Sequence, residues 1–424
     1  INEEWISDKT RYACDGLLNQ RLDKPYIKYN NKFDKSSWKE VFNIISSKIK
    51  ATDKSKICGF TGDLNNMESL YIFKDFFNKI LKNNNYDCRS NNQYINNSKR
   101  EDYLFNSSIN GIEDSDFIFL IGTNTRHEAT ILNSRIRKSC LNNNTKIISL
   151  NDQGDLTFPY ENLNGDSETI KNITEGKHSV SDLLINSKKP MIILGPSVLE
   201  NQSGKYIYES LKKFLFSKNK ISENWNPLNV ISLHASRIGS LDLGIINSGD
   251  GYNYLLNDLN NHKFEVVFLF GQDNLVFNKK DEFVIYIGSH GDAGAEIADI
   301  ILPGSAYTEQ DGYFTNLEGK LQKAFKASYP PGDAKEDWEI INDLSEKISG
   351  KKLYKDKNEL EKAMINYLKI FYEEDKQKKI EVKDNLNFIK ENITTKKIDY
   401  YYSNVIARAS KTMSKCREAK DIKA

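Results

Sequence analysis

The sequence predicts an α/β protein built from two Rossmann-like lobes, each on a parallel sheet, with a helical C-terminal extension. Three observations carry this prediction. The apolar runs FIFLIG, MIILG and VVFLFG are short and do not alternate with polar residues, as in strands buried on both faces. Helical patterns separate the runs, the spacing that right-handed crossovers between parallel strands require. The runs also fall into two groups, roughly 56–150 and 189–303, divided by the polar stretch DQGDLTFPYENLNGDSETIKNITEGKHSVSDLL.

Taken in order, SSWKEVFNIISSKIK at 36–50 predicts a first helix, with Ser37 and Glu40 as a capping box and Trp38, Phe42, Ile45 and Ile49 on one face. KICGFTGDLNNMESLYIFKDFFNKIL reads as a strand, a glycine turn and a helix carrying Leu70, Phe73, Phe77 and Ile80. The same unit recurs at FIFLIG, TKIISL, KPMIILGPS, LNVISLH, FEVVFLFGQD and FVIYIGSHGD. Pro303 ends strand character after ADIILPG, and EDWEIINDLSEKI forms a helix with Trp338, Ile341 and Leu344 on one side. LEKAMINYLKIF predicts a surface helix followed by a linker, and Ser403 or Asn404 caps a last short helix. The expected division is 1–50 as linking segment and first helix, 51–188 as first lobe, 189–325 as second lobe, and 326–424 as helical extension and tail.

Composition narrows the function. Sixty basic and fifty-nine acidic residues give a net charge of +1, so no whole-chain field draws nucleic acid or an anionic membrane. No apolar run reaches the roughly 18 residues of a spanning helix, so direct membrane insertion is not expected. The opening INEEWISDKT has no methionine, no basic leader and no apolar signal segment, and reads as a processed, split or truncated start. Cysteines 14, 58, 88, 140 and 416 form no C-x-x-C pair, so iron–sulfur and structural zinc sites are not expected and the thiols suit a reducing compartment. Histidines 127, 178, 234, 262 and 290 form neither H-E-x-x-H nor a triad-like set.

Among local motifs, GSHGDAG at 288–294 lacks the spacing of G-x-G-x-x-G and reads as a tight turn between lobes, with His290 and Asp292 as a hydrogen-bonded pair rather than an acid–base pair. In IGTNTRHEA, Gly122 occupies a strand-to-helix turn that calls for positive φ. Thr123, Asn124 and Arg126 stand at the start of a helix over 128–138, where an anion would sit.

ADIILPG followed by AYTEQDGYFTNLEGKLQ resembles the hallmark of molybdopterin-dependent oxidoreductases. INEEWISDKTRYACDGLLNQRL, IGTNTRHEATILNSRIRKS, HGDAGAEIADIILPGSAYTE, PPGDAKEDWEII and SNVIARASKTMSKC resemble, in the same order, the family of large iron–sulfur subunits of mitochondrial NADH:ubiquinone oxidoreductase, respiratory complex I. The resemblance implies lobes of the molybdopterin oxidoreductase type. In active relatives two pterin dinucleotides lie between the lobes, and a side chain after the second strand ligates the metal.

Cys88 is the cysteine nearest that position. Arg89 beside it would lower its pKa, but the loop lacks glycines that let a bulky group approach, so Cys88 reads as a buried strand residue. The complex I branch implies a fold that has lost its cofactor, with Glu309 and Glu318 closing backbone N–H groups. No catalytic, cofactor-binding or metal-binding residue is therefore expected in this chain.

The resemblance places [2Fe–2S] and [4Fe–4S] clusters in an upstream half of the subunit, absent from this sequence. That half is expected as a separate polypeptide, or one cleaved from this chain, docking on Ile1, Trp5, Ile6 and Tyr12, the alternative being an upstream part of the same polypeptide. Further implied partners are the other matrix-arm subunits, including the flavin-bearing NADH-binding subunit, on the matrix side of the mitochondrial inner membrane. The alternatives are an active molybdopterin-dependent oxidoreductase, which requires stoichiometric metal, and a soluble nucleotide-binding protein, which requires a saturable nucleotide effect on melting.

Overall fold

The apolar runs become the centres of two sheets in the computed structural model, which describes residues 3–247 and 249–423, the side chains through 420. The first sheet has the order Lys32–Lys35 (β2), Tyr26–Tyr29 (β1), Ile300–Pro303 (β12), Phe283–Gly288 (β11), Val266–Phe270 (β10), Ile57–Thr61 (β3), Tyr86–Asp87 (β4). From β12 to β4 all neighbours are parallel, with Val266 opposite Ile57 on one side and Phe283 on the other. The second sheet has the order Glu161–Leu163 (β7), Lys146–Leu150 (β6), Phe117–Ile121 (β5), Pro190–Leu194 (β8), Leu228–Val230 (β9), and it is parallel throughout. Every residue of β3, β5, β8 and β10 is buried, which explains their unbroken apolar composition.

The sheets do not follow the sequential division at 188/189. The second sheet, spanning 117–230, is inserted between β4 and β10 of the first, so each sheet draws strands from both predicted segments. The physical reason is that a strand buried on both faces advertises burial and length but not its neighbour. The N-terminal segment also contributes structure where only a linker and a helix were expected. Asn30 and Asn31, with φ of 47° and 62°, turn β1 into β2, and this hairpin adds an antiparallel edge to the first sheet. A second hairpin, Gly312–Thr315 (β13) with Leu321–Ala324 (β14), was likewise not anticipated.

Helices cover the first sheet largely as their periodicity predicts. Trp38–Ala51 is capped by the Ser37 hydroxyl, which accepts from Glu40 N–H, and buries Val41, Phe42, Ile45 and Ile49. Met67–Asp75 widens into a π-helical turn over Phe76–Leu81, and its Phe73 ring stacks on Phe270 at 4.9 Å. Asp337–Ser349 and Lys357–Gln377 complete this layer. The second of these is not merely a surface helix, since Leu360, Met364 and Leu368 enter the same core as β10 and β11. No helix among the described residues is long and apolar enough to cross a membrane.

Where the chain leaves β4 for the inserted lobe and where it returns, one fully buried side chain joins both passages. Arg89 grips Asp87 through Nε and Nη2 at 3.0 and 2.8 Å, and its Nη1 donates to the carbonyls of Gln93 and Gly251 at 2.9 and 2.8 Å. Asp87 in turn accepts from the backbone N–H of Asn247 at 2.9 Å. Arg89→Ala leaves the Asp87 carboxylate buried without its cation, a loss of about 3–5 kcal/mol. The expected outcome is a urea midpoint shifted strongly downward, measured by far-UV circular dichroism.

Candidate functional site

In open parallel sheets the ligand position is the crevice beyond the carboxyl ends of the strands, at the point where strand order reverses. In the second sheet that reversal lies between β5 and β8. Gly122, with φ of 58°, makes the turn out of β5, and a Cβ there would lie 2.8 Å from the Cβ of Val198 in the short helix Pro196–Glu200 after β8. The turn after β5 and this helix therefore touch at the reversal point.

The three expected anion contacts are spent on internal partners. The Thr123 hydroxyl donates to Glu128 at 2.6 Å, Asn124 Nδ2 donates to the Gln153 carbonyl at 2.9 Å, and Arg126 pairs with Asp155 at 2.6 Å. The helix also begins differently, as a short turn Thr125–Glu128 that breaks at Ala129 and restarts as Thr130–Asn143. Glu128 is only 8% exposed, and its Oε1 has no hydrogen-bond partner. Burial pushes its pKa up to about 7.

Across the first sheet, the loops after β3, β10 and β11 carry Asp63, Asp273 and His290. His290 is fully buried between the Ser289 hydroxyl (2.8 Å) and the Gly16 carbonyl (3.0 Å), and burial presses its pKa down to about 4. It does not pair with Asp292 as the sequence suggested, because Asp292 binds Arg408 from the distant C-terminal segment at 2.5 Å. Asp63 holds His234 at 3.0 Å, and Asp273 accepts from the Tyr286 hydroxyl at 2.9 Å and from Gly294 N–H at 3.1 Å. The strings GFTGD and FLFGQD place an aspartate just beyond each strand, the one signal from which Asp63 and Asp273 were readable. Nothing local marked Arg408.

Cys88 is buried, and burial pushes its thiol up to about 11. Arg89 does not activate it, being committed to Asp87, while Arg237 donates to the Cys88 carbonyl at 3.0 Å. Glu309 accepts from Ala306 N–H at 2.9 Å and forms a two-pronged ion pair with Arg21, and Glu318 accepts from Ile109 N–H at 3.0 Å. Both close backbone groups of irregular loops. Among the described residues, no three His, Cys, Asp or Glu side chains are grouped to hold a metal ion.

The mouth of the crevice is crossed by the chain itself. Residues 391–396 bind the second lobe. The Ile393 carbonyl accepts from Asn151 Nδ2 at 2.7 Å, Glu391 from Ser203 N–H at 2.9 Å, and the Ser197 hydroxyl from Lys396 N–H at 2.9 Å. Beneath them runs a cleft of about 620 Å³ lined by Asn124, Glu128 and residues 151–154. The turn Val405–Ala409, capped by Asn404, then seats over the first sheet. Arg408 reaches Asp292 and Asn274, Asp15 accepts from Thr412 N–H at 3.0 Å and from the Ser410 hydroxyl, and a Cβ on Gly16 would lie 1.9 Å from the Ile406 carbonyl.

Residues 21–347 match the molybdopterin oxidoreductase family, and the chain belongs to that family. Its relatives there are the large subunits of NADH–quinone oxidoreductases. It is 39% identical to the NADH-ubiquinone oxidoreductase 75 kDa subunit of Reclinomonas americana over 98% of this chain and 63% of that protein. It is 39% identical to the 78 kDa mitochondrial subunit of Candida albicans over 98% and 59%, and 37% identical to the corresponding NADH-quinone oxidoreductase subunit of Rickettsia conorii over 99% and 62%. The chain thus spans about three-fifths of the length of these curated relatives. Residues 369–416 match the C-terminal family model of these NADH-ubiquinone oxidoreductase subunits, and residues 1–15 match the NDSU1/NuoG-like 4Fe-4S domain. Acetylene hydratase from Pelobacter acetylenicus shares the fold, with a TM-score of 0.53 at 12% identity, over 94% of this chain and 71% of that one.

Two outcomes are expected from this geometry. Burial pushes the Asp273 pKa up to about 7 from the ordinary 3.8, so between those values the folded chain holds a proton that the unfolded chain has lost. Stability therefore falls as pH rises through that window and levels off above it. Asp273→Asn removes this group's share, at most about 1.4 kcal/mol per pH unit, visible as a flatter Tm profile across the window. Arg408→Ala removes charged hydrogen bonds worth about 1.5–3 kcal/mol, so tryptic cleavage at Lys396 and Lys397 accelerates about tenfold or more while far-UV circular dichroism is unchanged.

Proposed function

We propose that the chain is a structural and interaction module in the matrix-side peripheral arm of respiratory complex I at the mitochondrial inner membrane, supporting the iron–sulfur clusters that carry electrons from NADH to ubiquinone. The observation that carries this reading is identity of 37–39% with large subunits of NADH–quinone oxidoreductases along at least 98% of the chain. Oxidoreduction belongs to the assembly, and this chain contributes no catalytic residue of its own. Its partners are the cluster-bearing part of the same subunit, the flavin-bearing NADH-binding subunit and other subunits of the arm.

In this reading the inter-lobe crevice is a pterin site without its pterin. The residues there do not fit the group. The nearest thiol, Cys88, is buried and held protonated, the Gly122 turn is packed against Val198, and Arg408 occupies the strand ends of the first sheet. The competing reading, an active molybdopterin-dependent oxidoreductase, shares the fold but needs a reachable metal ligand.

Native electrophoresis of solubilised mitochondrial membranes followed by mass spectrometry is expected to find the chain in the megadalton complex I band, without molybdenum or tungsten by elemental analysis. A chain migrating alone, or about one such metal per chain, would overturn the reading.

A further inference from the structure

The passages that join the lobes enclose a cavity of about 50 Å³. Its walls come from residues 91–103 after β4, from residues 196–200 after β8 and from residues 230–241 after β9. Ile95, Leu199, Ile231 and Leu241 make much of the wall apolar. One strong cation lines it, Arg237, which is 5% exposed. Among the described residues its guanidinium forms no ion pair and donates only to neutral acceptors, Gln93 Oε1 at 3.2 Å and the Cys88 carbonyl at 3.0 Å.

The carboxylates around the cavity are taken by other cations. Asp102 accepts from Lys212 at 2.5 Å and Glu200 from Lys396 at 2.6 Å. Asp63 is within electrostatic reach of Arg237 but pairs with His234 at 3.0 Å. Two neutral donors line the same cavity. The Ser232 hydroxyl oxygen is buried and has no hydrogen-bond partner. Gln93 is 8% exposed, and because its Oε1 takes the Arg237 N–H, its Nε2 is left as a donor with no acceptor among the described residues.

A buried guanidinium is stable when its charge is balanced nearby, and hydroxyl and amide N–H groups removed from water need acceptors. Three such donors on one cavity call for a group that is small, anionic and rich in acceptors. The space holds about three waters, far less than the roughly 300 Å³ or more of a site for a nucleotide or a pterin.

We infer that this cavity binds a single tetrahedral oxyanion of the size of inorganic phosphate, held by Arg237, Ser232 and Gln93. The planar fork of a guanidinium matches the oxygens of such an anion, and the apolar wall strengthens the attraction by keeping water away. The anion bridges the passage that leaves the first sheet and the passage that returns from the second, so it acts as a clamp between the lobes. The inference goes beyond the functional reading above and does not rest on it.

The test uses the complete protein in its native assembly, freed of phosphate and sulfate by gel filtration and then dialysed to equilibrium against radiolabelled orthophosphate. Saturable binding is expected in the wild type and is lost in Arg237→Met. Ser232→Ala removes a hydroxyl that has no protein partner, so the fold is kept, and the affinity for phosphate is expected to fall about tenfold. Sulfate is expected to displace the variant-sensitive label and ADP is not, which separates a free oxyanion from the phosphoryl group of a nucleotide. Absence of saturable phosphate in the wild type, equal binding in wild type and variants, or displacement by ADP as effective as by sulfate would overturn the site. If Arg237→Met does not assemble, Ser232→Ala decides alone, and an unchanged affinity there would overturn it.

Discussion

The buried guanidinium of Arg89 is the constraint on which the two-lobed arrangement depends. An inserted lobe requires the chain to leave the first sheet and come back, and two such passages side by side carry backbone groups with no strand partner. Arg89 and Asp87 satisfy them from within, binding the outgoing carbonyl of Gln93, the returning carbonyl of Gly251 and the returning N–H of Asn247. A guanidinium suits this place because its planar fork spends several donors in fixed directions without moving. The aromatic packing of Phe73, Phe76 and Phe77 on β10 then builds on an edge already held in register.

The family fold accommodates very different chemistry, because activity is set by the site and not by the fold. A shared fold with acetylene hydratase carries no shared activity. In this chain the strand-end loops are closed by their own side chains and by the C-terminal segment. Arg408 meets Asp292 at the strand ends of the first sheet, and the cation comes from the same polypeptide.

Strands and most helices were legible because burial and period are local. The stripe Phe42, Ile45, Ile49 named its helix, and VVFLFG named a strand. Pairing was not legible, because the insertion of the second sheet into the first depends on which buried strands meet. The β1–β2 hairpin was missed although Asn30-Asn31 between polar-rich flanks is a turn signal, since its strands are only four residues long and lie at a sheet edge. At the crevice, Gly122 was readable from its place in the turn. Its neighbours Thr123, Asn124 and Arg126 were not, because residue type names a capacity to bind an anion and not the internal acceptor that uses it. His290 and Asp292, close in sequence, found partners 274 and 116 residues away.

The contact between Asp15 and Ser410 closes a loop of 395 residues, nearly the whole chain. During synthesis, the turn near Asp15 is made long before its partner at Ser410 and waits for it. The inserted sheet, whose strands run consecutively from 117 to 230, is complete far earlier, while β3 waits for β10. The order of assembly on the ribosome is therefore the inner lobe, then the outer lobe around it, then the seam between Asp15 and Ser410. Until that seam forms, the nascent chain exposes the mouths of both sheets, which gives a partner or chaperone a window that exists only while the protein is being made.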